Sequence, residues 1–307
     1  MGGTRLVFLI IGMFVLLSTT QAQTPLPRTQ QAVALYDNGE LVEAKDVILV
    51  ALQDSLESKN PYTWCVKGFI FKEIYKTIEN KDKYSSNRDI AIESIKQSMI
   101  LDKKQEYLET NVQILNYLSS TLFNDVVQIT RSMNAYNVDE PEQFYLKFKK
   151  VQRMINPTVN LADKDLELYR VLAEGNDRIY LQDPDKNIAF FDRAVDYYSK
   201  ALEIAPSDTI SNYNLAVMFY NRGVQKIKKI DHQTEIFELI TIQDECIDLF
   251  KQSLPYMEKA HNLDPYRKEP IVGLRAIYKS LSEDQKEAEY KDLLESYIRD
   301  GVIKKED

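Results

Sequence analysis

Residues 194–206 read AVDYYSKALEIAP, and residues 253–265 read SLPYMEKAHNLDP. In the first stretch Ala194, Tyr198, Ala201 and Pro206 stand four, three and five apart; Ser253, Met257, Ala260 and Pro265 repeat those intervals in the second. Steps of four and three keep side chains on one face of a helix. Small residues on that face let another helix backbone approach closely, the large residue between them fills the gap alongside, and proline then stops the helix. The segment after each proline repeats as well. Asn212, Leu215, Ala216 and Phe219 come after Pro206, and Ile271, Leu274, Arg275 and Tyr278 come after Pro265, both sets spaced three, one and three.

Two alternating helix types closed by proline resemble the tetratricopeptide repeat, with W-x2-L-G-x2-Y on the first helix and A-x3-F followed by P on the second. Trp64, Lys67, Gly68 and Phe71 match the first-helix pattern at three of four places, and Ala91, Ile95 and Ser98 supply the second helix. Upstream, Tyr36-Asp37-Asn38-Gly39-Glu40 reads as the turn inside a first pair, with Ala44, Ile48 and Ala51 on its second helix. The resemblance covers roughly two-thirds of the mature chain. It implies an all-α fold, an α-solenoid of antiparallel helix pairs in a single domain over residues 23–307. The pairs are expected near 29–60, 61–104, 105–158, 159–207, 208–266 and 267–300.

Departures from the repeat predict lengthened helices. Phe219 and Ser253 stand 34 residues apart, where the family pattern needs about nine. The excess corresponds to about a dozen extra residues on each helix, a little over three turns. Phe71 to Ala91 is stretched by about eleven on the same comparison. Between Glu106 and Asn156 the motif is barely readable, and Asn156-Pro157 marks the end of a degenerate third pair. Asp183-Pro184 reads as a helix start, with Asp as N-cap and Pro in the first turn. The last helix, Glu283 to Asp300, sets Tyr290, Leu293, Leu294, Tyr297 and Ile298 on one face against charge on the other, as suits a terminal cap of a repeat array.

Composition points the same way. Six glycines remain after residue 22, namely Gly39, Gly68, Gly175, Gly223, Gly273 and Gly301. Sheet folds with many tight turns need more of them. Arg5, the apolar run Leu6 to Leu17 and the small residues Thr20 and Ala22 have the order of a secretory signal peptide, cleaved after Ala22. An apolar run of about a dozen residues falls short of the roughly twenty that span a bilayer. No later stretch is apolar for long enough, so no membrane insertion is expected after cleavage. Removing residues 1–22 takes away Arg5 alone and leaves 38 basic against 47 acidic residues, a net charge of −9. Such a surface repels nucleic acid and anionic lipid. Cys65 and Cys246 are the only cysteines, too few for a disulfide framework, and are expected to be buried thiols.

The chain offers no specific argument for an enzyme. It lacks a P-loop, GxGxxG, GxSxG and CxxC. Its two histidines, His232 and His261, have no partner at ligand spacing, so no metal or cofactor is expected. Asp183, Asp185 and Asn187 imitate the start of a calcium loop, but Ile188 and Ala194 stand where that loop needs Gly and Glu.

In the tetratricopeptide family the first helices line a concave groove that holds a segment of a partner protein. Carried over residue by residue, the resemblance puts Tyr62, Cys65, Phe69 and Lys72 on one stripe and Tyr213, Val217 and Tyr220 on the equivalent stripe of the fifth pair. Tyrosine offers large contact area with few rotatable bonds and a polar tip. The same spacing also serves packing against lengthened neighbouring helices, and both readings stay open here. Phe69 and Val217 occupy a position where the family's carboxylate clamp needs Lys or Asn, which argues against a peptide C-terminus as ligand. Trp64, Gly68, Ala201, Ala216 and Ala260 are assigned to packing between helices.

The expectation is therefore a non-catalytic scaffold or adaptor that binds a partner protein on its concave face. Export, together with a Lys, Asn, Ile and Tyr-rich composition resembling Gram-negative envelope proteins, places it in a bacterial periplasm or cell envelope. A structural homo-oligomer built on the long fifth pair is the second reading, and a hydrolase with an unrecognised site the third.

Overall fold

A computed structural model describes residues 26–303. The expected leader, residues 1–22, lies outside the described residues. Those residues form twelve α-helices, with one 3₁₀ turn at Glu57–Lys59 and no β-strand among them. Consecutive helices pair as α1 (Arg28–Asp37) with α2 (Leu41–Ala51), and α3 (Pro61–Thr77) with α4 (Ser86–Leu101). Then come α5 (Leu108–Arg131) and α6 (Glu140–Ile155), α7 (Ala162–Gln182) and α8 (Ile188–Ile204), α9 (Thr209–Ile227) and α10 (Ile236–Leu263), and α11 (Lys268–Ser280) and α12 (Asp284–Arg299). The class is all-α, built from tetratricopeptide-like helix pairs.

The chain divides into two compact units. Unit 1 comprises residues up to Asn80 together with Ser86–Asn111, and so takes in α1 to α4 and the first turn of α5. The α1–α2 turn rests on Gly39 at φ +85°, where a side chain would be strained. Glu57 holds the start of α1, its carboxylate accepting from the backbone N–H groups of Arg28 and Thr29 at 3.1 and 2.7 Å. Asn60 caps α3 by accepting from the Tyr62 N–H at 3.0 Å, with Pro61 at the first helical position. The indole of Trp64 donates to the Ser58 carbonyl oxygen at 2.8 Å. Ala44, Ile48, Ala51, Ala91 and Ile95 are fully buried: the small residues of the repeat bring the helix backbones together.

Unit 2 comprises Lys81–Ser85 and the chain from Val112 onward. Ala194, Ala201, Ala216, Ser253 and Ala260 are fully buried in it, and Tyr198 and Met257 nearly so. Asp208 starts α9 by accepting from the Ser211 N–H at 2.9 Å. The same carboxylate takes a two-point ion pair from Arg170 on α7, which ties the start of one pair to the pair before it.

Two expectations need correcting. Helix α8 begins at Ile188 and not at Pro184. Residues 183–187 close a single turn in which the Asn187 N–H donates to the Asp183 carbonyl oxygen at 2.9 Å, and Pro184 fixes the backbone of that turn instead of a helix. The extra residues after Phe219 are also shared unequally. Helix α9 stops at Ile227, residues 228–235 form a loop, and α10 takes the rest, starting at Ile236. The extra residues after Phe71 divide likewise between the end of α3 and the connecting segment 78–85.

Candidate functional site

The stripe on α3 opens into a recess of about 250 Å³ within unit 1. Tyr62, Cys65, Val66, Phe69 and Ile70 of α3 form its base. Val33 and Tyr36 of α1 stand on one side, with Tyr107 and Thr110 at the start of α5 on the other. All three helices are the first members of their pairs, so successive first helices build the recess side by side. Its lining is mostly apolar, with Glu106 at its edge.

The rings define the shape. Tyr36 meets Phe69 edge-on at 5.0 Å between centroids, and Tyr62 meets Tyr107 at 5.4 Å. These four aromatic side chains are half-buried: each has neighbours that fix it and a face left open. Burial raises the pKa of the Tyr62 and Tyr36 hydroxyls, with Glu73 and Asp37 adding to the effect at Tyr36. Burial also raises Tyr107, helped by Glu106 and Asp102. The phenols therefore stay protonated and can donate. Cys65 is only 5 % exposed, and burial, with a smaller contribution from Asp102, pushes its thiol up to about 12. A thiol held that way is an apolar floor and a poor nucleophile.

Lys72 lies one turn beyond Phe69, its ammonium 4.1 Å from the Phe69 ring centroid and 2.6 Å from Glu73 Oε1. Burial lowers its pKa and the Glu73 contact partly offsets that. Its charge is thus matched within the unit, and Lys72 serves to hold the Phe69 ring.

The second stripe has different surroundings. Tyr213, Val217 and Tyr220 are half-buried and packed against the unit 2 core that includes Ala216, Phe250 and Met257. The Arg267 guanidinium covers the Tyr213 ring at 4.8 Å, and the Tyr220 ring lies 5.3 Å from Phe250. None of the three lines either of two recesses in unit 2. One of those, about 470 Å³ between α8, α9 and α10, is edged by charges that pair across it, Arg222 with Asp192 at 3.9 Å and Lys226 with Glu245 at 2.6 Å. The other, about 570 Å³, runs along α10 toward the α11–α12 turn.

Tyr36 and Tyr107 are the aromatic residues of the recess that the stripe reasoning missed. Tyr36 is the last aromatic before the Gly39 turn, so a groove built by successive first helices would have included it. Tyr107 precedes α5 in a segment with no readable motif, and nothing in its spacing marks it.

Signs of catalysis are slight. Among the described residues no group of three or more His, Cys, Asp and Glu side chains could hold a metal ion. Burial pushes the Asp177 carboxyl up to about 6, but Asp177 lines none of these recesses. His261 sits edge-on to Tyr290 at 5.6 Å, with its Nδ1 buried and unbonded and its pKa lowered by burial. His232 is exposed in the α9–α10 loop. Cys246, like Cys65, is buried and free. No described helix is long and apolar enough to cross a membrane.

No family model matches the chain, and no curated protein matches it. Among solved structures it is similar to a TPR repeats protein from Bacteroides fragilis at 14% identity, covering 87% of this chain and 97% of that one with a TM-score of 0.43. It is also similar to PilW, a type IV pilus biogenesis factor, at 16% identity over 89% and 92% of the two chains, TM-score 0.32. Human IFIT1, solved as a dimer with m7Gppp-AAAA, matches at 14% identity over 87% of this chain with a TM-score of 0.34. The match spans 49% of the IFIT1 chain, about half its length.

Proposed function

We propose that this chain is a non-catalytic protein-binding scaffold of the bacterial periplasm or cell envelope, and that it grips its partner in the unit 1 recess. The observation that carries the reading is the set of four half-buried aromatic rings, Tyr36, Tyr62, Phe69 and Tyr107, around an apolar floor. A recess of about 250 Å³ matches one large apolar side chain of a partner segment, and the tyrosine hydroxyls at its edges can bond the partner's backbone. Aromatic anchors in desolvated pockets supply most of the energy in such contacts. Export rests on the leader-like order of residues 5–22.

Panning a library of random extended peptides tests the reading. The protein should enrich sequences with one recurrent aromatic or large aliphatic residue, and a Tyr62→Ala, Phe69→Ala double variant should lose that enrichment. Equal enrichment by both proteins would remove the recess from the account.

A further inference from the structure

The recess of unit 1 lies between two carboxylates, one on each side of α3. On the α1 side stands Asp37, next to Tyr36 and four residues beyond Val33, both of which line the recess. A step of four keeps Asp37 on the helix face of Val33. On the α5 side stands Glu106, at the edge of the recess. Both acids are exposed. A segment crossing α1, α3 and α5 in turn therefore passes Asp37, the aromatic rings and Glu106 in that order.

Neither acid is placed for the good of its own helix. Asp37 is the last residue of α1, whose final turn holds no basic residue, and the negative end of the helix dipole disfavours an acid there. Among the described residues no cation pairs with it. Glu106 follows Gln105, which sits at φ +60°, a conformation uncommon for a residue with a side chain. The buried Asp102 carboxylate holds that turn, accepting from the Glu106 and Tyr107 N–H groups at 3.0 and 2.7 Å.

Three lysines of the unit leave this acidity in place. Lys72 and Lys76 share Glu73, at 2.6 and 3.4 Å. Lys104 comes within 3.7 Å of Glu106, but its side chain is 85% exposed, and a surface pair of that kind holds little. The charges that act on the recess hydroxyls are acidic: Glu73 and Asp37 at Tyr36, Asp37 at Tyr62, Glu106 and Asp102 at Tyr107. The chain as a whole is acidic too, which draws cationic partners toward it. Resting on the recess as the seat of the partner, we infer that the segment it takes is basic. Its apolar anchor enters between the four rings, a lysine or arginine on one side of the anchor meets Asp37, and another on the far side meets Glu106. The cations stay at the rim, where they select the partner and speed its arrival more than they hold it. An acidic segment would be repelled at both edges.

The test pans the library of random extended peptides on the natively processed chain and on an Asp37→Lys, Glu106→Lys double variant. The native chain should recover sequences with Lys or Arg on both sides of the recurrent large apolar residue. The variant should keep the apolar residue and exchange the flanking bases for Asp or Glu, without a lowered thermal melt, because both positions are exposed. A peptide recovered with the native chain should bind the variant at least about tenfold more weakly at low salt, and the difference should shrink as salt rises. A recurrent apolar residue with no excess of bases beside it, or the same flanking residues recovered by both proteins, overturns the basic partner and leaves the recess standing. Sequences with no recurrent large apolar residue overturn the recess itself, and the basic partner with it.

Discussion

Gly68 on α3 lies so close against α4 that a Cβ built onto it would stand 2.4 Å from Ile95 Cδ1 and 3.3 Å from the Ala91 carbonyl oxygen. The two helices meet here because one has no side chain, and that contact seats the aromatic face of α3 in the recess. Gly68→Val should lower stability by about 1–3 kcal/mol through overpacking, read as a shift of the urea midpoint. Ile95→Ala added to it should cost less than the two single changes together, because it empties the space the valine needs. Strict additivity would mean that the residues do not share that space.

Another small packing position, Ala201 on α8, is fully buried. Ala201→Leu should destabilise by about 1–3 kcal/mol, and an unchanged thermal melt would remove Ala201 from the packing between helices.

Much of this packing was legible in the sequence. Ala194, Ala201, Ser253 and Ala260 recur at fixed intervals because a close helix crossing admits few side chains, and all four are fully buried. The recess was legible only in part. Tyr62, Cys65 and Phe69 follow from α3 spacing, but Tyr107 precedes α5 outside any periodic stretch. Tyr213, Val217 and Tyr220 have the same spacing and pack against the core around Phe250. Periodicity reports that residues share a face and says nothing about what that face meets. The Pro184 turn escaped for a related reason: Asp-Pro opens a turn as readily as a helix.

Asp177 predicts a pH dependence. Its carboxyl pKa rises from the usual 3.8 to about 6 because burial disfavours the charge. The folded chain therefore holds this proton more tightly than the unfolded chain, so Asp177 lowers stability progressively as pH rises from 3.8 to about 6. Asn cannot ionise. Asp177→Asn should raise the melting temperature at pH 7.5, with the advantage shrinking as pH falls toward 4. An equal advantage at both ends would exclude ionisation as the cause.

The Cys65 thiol, buried and pushed up to about 12, should react slowly with iodoacetamide at pH 8. Peptides enriched by panning should slow it further, since Cys65 lies on the floor of the recess. Mass spectrometry of the intact protein follows both rates; fast labelling of the free protein would contradict the closed floor.

The most direct measurement is photocrosslinking in the native cell, with the probe at Tyr62 in the recess and a control at the exposed Lys259 of α10. The account predicts a discrete adduct with one partner protein from Tyr62 and none from Lys259, and loss of that adduct when Phe69→Ala is added. The same adduct from both probes, or none from Tyr62, would contradict the claim that unit 1 holds a partner in its recess.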